Sequence, residues 1–150
     1  MMIRPMRAED MNTVVDIWYR GSIQAHDFIE REYWEAGKKD MLEQYLPMSM
    51  TYILEDENRN VTGFVSMVDQ YLAALFVDVS QQKKGYGKQI LAFIKEKYDA
   101  VQLKVYQKNS NAVEFYRKNG FNIREELIDE ATSQEEFLMT WVKLEDTIEV

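Results

Sequence analysis

Between Leu72 and Leu91 the chain runs from an apolar stretch, through a basic loop punctuated by Gly85 and Gly87, into the start of an amphipathic helix. That order suits an anion. A helix start presents backbone N–H groups with no intrahelical partner and the positive end of the helix dipole, and a glycine lets a phosphate approach the backbone closely. Read from its residues alone, the loop fits either a phosphate site or an ordinary strand-to-helix turn with solvated lysines. Two nucleotide signatures fit less well. A P-loop needs Ser or Thr after its lysine, where Lys88 is followed by Gln89, and a dinucleotide fingerprint needs a third glycine where Ile90 stands.

A second constellation lies downstream. Asn109 or Ser110 can cap a short helix, Gly120 can end it in a left-handed conformation, and the helix carries Ala112, Phe115, Tyr116 and Lys118 before Phe121 opens a strand. The string Gln82-x-x-Gly85-x-Gly87 after a strand, followed at this distance by Asn109-x-x-Ala112-x-x-Phe115-Tyr116-x-Lys118-x-Gly120-Phe121, resembles the GNAT family of N-acetyltransferases, and its small bacterial members in particular. The likeness reaches both ends of the chain, through Ile3-Arg4-Pro5 with Asp10 and a closing strand pair.

The resemblance implies acetyl-CoA as cosubstrate. Its pantetheine arm would lie along Phe76 and Val77, whose backbone N–H groups are placed to polarise the thioester carbonyl, and its pyrophosphate would lie on the backbone of Gln82, Lys83, Lys84, Gly85, Tyr86, Gly87 and Lys88. One of the three lysines is expected to meet the 3′-phosphate, against the alternative of solvated lysines on an acidic protein. Asn109 either fixes the loop against the cofactor or simply caps its helix. Tyr116 matches the family's general acid, since a phenol of pKa near 10 can protonate a departing alkyl thiolate; without the resemblance it reads as a core aromatic.

A base is harder to place, because no glutamate stands between Leu72 and Val79 where several family members carry one. Deprotonation through ordered water is one route. His26, the sole histidine, is the named candidate, with a pKa near 6.5 suited to the task; capping a helix or bonding to Asp27 is the structural alternative. Asp69 and Gln70 are secondary candidates, and Trp18, Phe28, Tyr33, Trp34, Tyr71 and Tyr106 are candidate walls of an acceptor pocket. The implied reaction is direct attack of a primary amine, from a protein lysine or a small molecule, on the thioester. A chain without cysteine has no thiol to carry an acyl intermediate. The alternative from another class is a non-catalytic acyl-CoA sensor.

Positioning these groups requires one domain over residues 1–150. A chain of that length with 46% hydrophobic and 13% aromatic residues can bury one sizeable core. The absence of cysteine removes disulfides and most structural zinc sites, no metal is expected, and the default compartment is the cytoplasm. A formal charge of −8 disfavours nucleic-acid binding, and no apolar run suggests a leader or a membrane span. A monomer or homodimer is expected. Asp10 should cap a helix with Met11, Val14, Val15, Trp18 and Ser22 on one face, and residues 30–45 should form a second helix, interrupted at Gly37 and ended by Pro47. Strands at 51–54 and 61–68 and the Leu72 strand suggest a meander; a helix over 87–98 crosses to a parallel strand at 101–105, with further strands at 121–126 and 137–143. The fold class is α/β with a mixed sheet, and the resemblance adds that the sheet is GNAT-like, splayed at its centre and flanked by helices.

Overall fold

The computed structural model describes residues 2–144. Seven strands, β1 (Met2–Pro5), β2 (Met50–Glu55), β3 (Val61–Val68), β4 (Tyr71–Val77), β5 (Ala100–Tyr106), β6 (Asn122–Asp129) and β7 (Gln134–Val142), form one sheet in the order β1-β2-β3-β4-β5-β7-β6. Helices α1 (Met11–Ala25), α2 (Arg31–Asp40) and the single turn α3 (Leu46–Met48) precede β2, α4 (Tyr86–Lys97) joins β4 to β5, and α5 (Ser110–Lys118) joins β5 to β6.

Every neighbouring pair is antiparallel except β4 and β5, which are parallel and meet only at Tyr71↔Gln102, with the Gln102 N–H donating to the Gln70 carbonyl at 3.0 Å. From there toward their C-terminal ends the two strands part. The sheet is therefore mixed and split down its centre.

Two apolar layers cover it. Alternating side chains of β2 and β3 send Ile53 and Phe64 to one face, where Val14, Ile17, Met41 and Leu46 pack, and Leu54 and Val65 to the other, against Ile90, Leu91, Ile94, Leu103 and Met139. Each fully buried leucine or isoleucine contributes about 1.5–3 kcal/mol of transfer free energy, which holds the two halves of the sheet to their helices where strand pairing between them is missing.

Three local expectations change. Asp10 does not cap α1 with its side chain; its carboxylate accepts the Arg7 N–H at 2.8 Å and two Arg4 guanidinium bonds at 2.7 and 3.0 Å, which lower its pKa. Gly37 does not interrupt α2. A Cβ there would stand 3.0 Å from the Trp18 indole, so the glycine lets α2 approach α1 closely. The helix then continues through a wide π turn at Met41–Tyr45 into α3 and stops at Met48, one residue past Pro47, whose missing N–H leaves a carbonyl of the preceding turn without its helical donor. Ile17 joins the buried face of α1.

Candidate active site

The split between β4 and β5 opens onto two cavities. The larger, about 730 Å³, is walled by Gly21, Gln24, Ala25 and Asp27 of α1 and its exit, by Leu75, Phe76 and Val77 of β4, by the loop into α4, and by α5. The smaller, about 250 Å³, is walled by Trp18, Ser22, His26, Trp34, both strands and Glu136. Leu75, Phe76, Asn109, Ala112 and Tyr116 belong to both walls. The two spaces thus meet at one gap.

The loop into α4 is built for close approach. Lys83 and Gly85 adopt left-handed conformations, φ +67° and +81°, and a Cβ on Gly85 would meet nothing within 4 Å. Left-handed residues just ahead of a helix turn consecutive N–H groups toward one concavity, an anion nest. Gln82, Lys83, Tyr86, Gly87 and Lys88 line the larger cavity with Gly85; Lys84 does not, its ammonium donating instead to Gln81 Oε1 at 2.9 Å. Gly87 has a different reason to be glycine, since its Cβ would stand 3.3 Å from the Phe115 ring. Asp78 anchors the loop's entrance. It accepts the Ser80 N–H and pairs with Arg20 of α1 at 2.8 Å, and chiefly that bond pulls its pKa down to about 2.

Phe76 turns its ring toward α1, stacking on Phe64 at 5.9 Å. This is possible because a Cβ on Gly21 would lie 2.6 Å from Phe76 Cδ1. With its ring committed to the core and its backbone paired with Phe64 of β3, Phe76 does not present a free N–H to the gap; Leu75 and Val77 turn their backbone that way, and beyond Tyr71 nothing on β5 pairs with that edge. Backbone amides without partners beside a cavity are costly unless something completes them. A linear amide-bearing chain with a pyrophosphate at one end fits both the strand edge and the nest.

Tyr116 owes its position to the end of α5. The Gly120 N–H donates to Arg117 O at 3.1 Å and the Phe121 N–H to Tyr116 O at 3.0 Å, with Gly120 at φ +91°, a complete Schellman cap. Its hydrophobic contact is the Tyr116–Phe121 ring pair, 5.4 Å between centroids. The buried ring carries a hydroxyl without a hydrogen bond among the described residues, and burial raises its pKa above the usual phenol value.

Asn109 caps α5, its Oδ1 accepting the Ala112 N–H at 3.2 Å. With Oδ1 so engaged, Nδ2 faces His26 Nε2 at 3.3 Å as the donor. His26 therefore presents a lone pair at Nε2 and carries its proton at Nδ1. It is buried at the C-terminus of α1, stacked on Trp34 at 5.1 Å, and desolvation drops its pKa to about 4. Such an imidazole stays neutral at ordinary pH, with its basic nitrogen occupied. Asp69 and Gln70 form the turn between β3 and β4 and stay outside both walls. Trp18, Trp34, Tyr71 and Tyr106 do line the smaller cavity, with Phe28 and Tyr33 packed behind them.

Sequence reading missed Gly21, Lys108 and Glu136 as wall residues. A glycine in mid-helix is a visible anomaly, so Gly21 carried a signal. Glu136 carried none, because it sits in a polar run, Gln134-Glu135-Glu136, that reads as solvated. No group of three metal-ligating side chains occurs among the described residues, and no helix among them is long and apolar enough to cross a membrane.

Residues 47–123 match the model of the acetyltransferase (GNAT) domain. The chain is 30% identical over 142 residues, 94% of each chain, to the peptidyl-lysine N-acetyltransferase YiaC of Escherichia coli K12, and 30% identical over 81% of its length to YjaB of the same organism, which carries the same description. The solution structure of apo YjaB superposes with a TM-score of 0.83 at 26% identity, covering 95% of this chain and 98% of that one. The coenzyme A complex of the PaiA N-acetyltransferase of Thermoplasma acidophilum, 21% identical, shares the fold at a TM-score of 0.78 over 94% of this chain and 98% of that one. Relatives named as transferases favour the enzyme over the sensor. With the split mixed sheet, both motifs in order and a family model spanning half the sequence, the chain belongs to the GNAT family of acetyltransferases.

Proposed function

We propose that this acetyltransferase passes the acetyl group of acetyl-CoA directly to the side-chain amine of a lysine in a peptide or protein, in the cytoplasm. The observation that carries the reading is the meeting of the two cavities at Leu75, Phe76, Asn109, Ala112 and Tyr116. A cosubstrate entering from the loop side and an acceptor entering from the aromatic side converge there. The relatives described as peptidyl-lysine N-acetyltransferases support the choice of acceptor.

Each residue has a stated part in this proposal. The nest from Gln82 to Lys88 holds the pyrophosphate, with Lys83 and Lys88 available to further phosphate and Lys84 held aside by Gln81. The backbone of Val77 bonds the pantetheine and the thioester oxygen, whose charge grows as the amine attacks, while Phe76, whose N–H is committed to β3, contributes only its place in the wall. Tyr116 protonates the departing thiolate. Its raised pKa makes an isolated phenolate costly, so the proton it gives to sulfur is replaced in concert by one leaving the new amide nitrogen. His26 is a positioning residue and not a base, since its free lone pair is bonded to Asn109.

Mass spectrometry after incubating the protein with acetyl-CoA and a library of lysine peptides and small amines tests the reading. Acetylated lysine side chains are expected. Product on small amines alone would move the acceptor class, and bound acetyl-CoA without product in any pool would overturn the proposal.

A further inference from the structure

The smaller cavity has walls suited to one kind of acceptor. Four aromatic rings, Trp18, Trp34, Tyr71 and Tyr106, line a space of about 250 Å³, ample for an unbranched aminoalkyl chain. Among its lining residues Glu136 is the sole carboxylate and Lys104 the sole lysine or arginine. Glu136 stands on β7 between Tyr106 of β5 and Leu127 of β6. Asp129, the acidic group whose charge acts on it, is already engaged, accepting the Tyr106 hydroxyl at 2.7 Å and the Thr132 hydroxyl at 2.8 Å. The carboxylate of Glu136 has no hydrogen bond or ion pair among the described residues, although it is partly buried.

We propose that Glu136 receives the ammonium group of an unbranched primary alkylamine threaded between these rings and takes its proton, which makes the enzyme selective for straight aminoalkyl chains. This rests on the reading that the chain acetylates a primary amine. Aromatic faces attract the cation and the carboxylate completes the site. An ammonium N–H bond breaks and an O–H bond forms on Glu136, directly or through one water. The freed lone pair forms the C–N bond to the acetyl carbon while the C–S bond breaks. The proton then lost from nitrogen replaces the one Tyr116 gives to sulfur, and Glu136 releases its proton to solvent.

The groups facing Glu136 set its titration. Burial and the charge of Asp129 raise its pKa, Lys104 opposes them, and Tyr33, Tyr71 and Tyr106 stay neutral with raised values of their own. The raised value narrows the gap to the amine.

Steady-state kinetics with n-pentylamine, its branched isomer 2-methylbutan-2-amine and a lysine peptide test the assignment on wild-type, Glu136→Gln and Glu136→Asp proteins. Glu136→Gln is expected to raise the KM for n-pentylamine and peptide about tenfold and to flatten the acidic limb of kcat/KM, with acetyl-CoA affinity by calorimetry unchanged. Glu136→Asp should recover part of the limb. The branched amine should be a poor substrate throughout. Unaltered KM and limb in Glu136→Gln, or equal use of the branched isomer by wild type, overturns the inference and leaves the enzyme reading intact; transfer to no primary amine by wild type overturns both.

Discussion

Asn109 and His26, 83 positions apart in the chain, meet through a 3.3 Å contact between Nδ2 and Nε2 that ties the first turn of α5 to the last residue beyond α1. One amide side chain thereby caps a helix, fixes a tautomer and stands at the gap where the two cavities meet. Because the Asn109 oxygen is committed to Ala112, the direction of the bond is set without reference to any substrate.

His26 is consequently expected to influence stability through pH rather than to act as the base. Its pKa is about 4 in the folded chain against 6.5 for a free imidazole, so between these values the unfolded chain binds more protons. Stability should fall as pH drops from 6.5 toward 4. His26→Gln should flatten the melting temperature across that window and lower turnover while leaving the acidic limb of the rate profile in place. Loss of the acidic limb in the kinetic titration of this variant would restore His26 as the base.

Tyr116→Phe keeps the ring against Phe115 and Phe121 and removes only the hydroxyl. Turnover should fall on the order of 10²-fold, with melting temperature and acetyl-CoA affinity nearly unchanged. The loss should be the same at every pH up to about 10, because burial moves the phenol's titration above that point. Rates within twofold of wild type would return Tyr116 to the core.

The two glycines of the loop should fail differently. Gly85→Val meets open space but must hold φ +81°, a strain of about 1–2 kcal/mol for a residue with a Cβ, and its side chain enters the nest. Calorimetry should show acetyl-CoA affinity strongly reduced in a folded protein. Gly87→Val drives into Phe115 and should lose melting temperature as well as affinity. Unchanged affinity in folded Gly85→Val would remove the phosphate from this loop.

Arg20→Gln should free Asp78 from the bond that holds its pKa near 2. A carboxylate depressed from 3.8 contributes stability that is complete above that value and disappears as pH falls toward 2. Wild type should therefore lose stability through this window more steeply than Arg20→Gln, as chemical denaturation at stepped pH would show. Identical slopes would make the pair a surface contact without consequence.

The architecture was legible because its signals are local. Asn109, Gly120 and Phe121 announce a capped and terminated helix, and the alternation at 101–105 announces a strand, each from a few adjacent residues. The site's walls were less so. Glu136 faces the cavity only because β7 pairs with β5 in one register, and a one-residue slip would turn it to the opposite face. His26 illustrates the same limit: its burial and its bond to Asn109 depend on how α1 and α5 are placed across the gap. Asp10 failed as a cap for a related reason, since a guanidinium from β1 competes for its oxygens.

A sheet that parts after a single bridge at Tyr71 and Gln102 has an open seam where most sheets are strongest. Any extended molecule that bonds both lips of that seam becomes a strut, and its binding free energy is added to the resistance of the two halves to separation. Protease resistance and amide exchange at β4 and β5 should then follow the supply of that molecule, so that the protein's persistence in a cell reports the abundance of what it consumes.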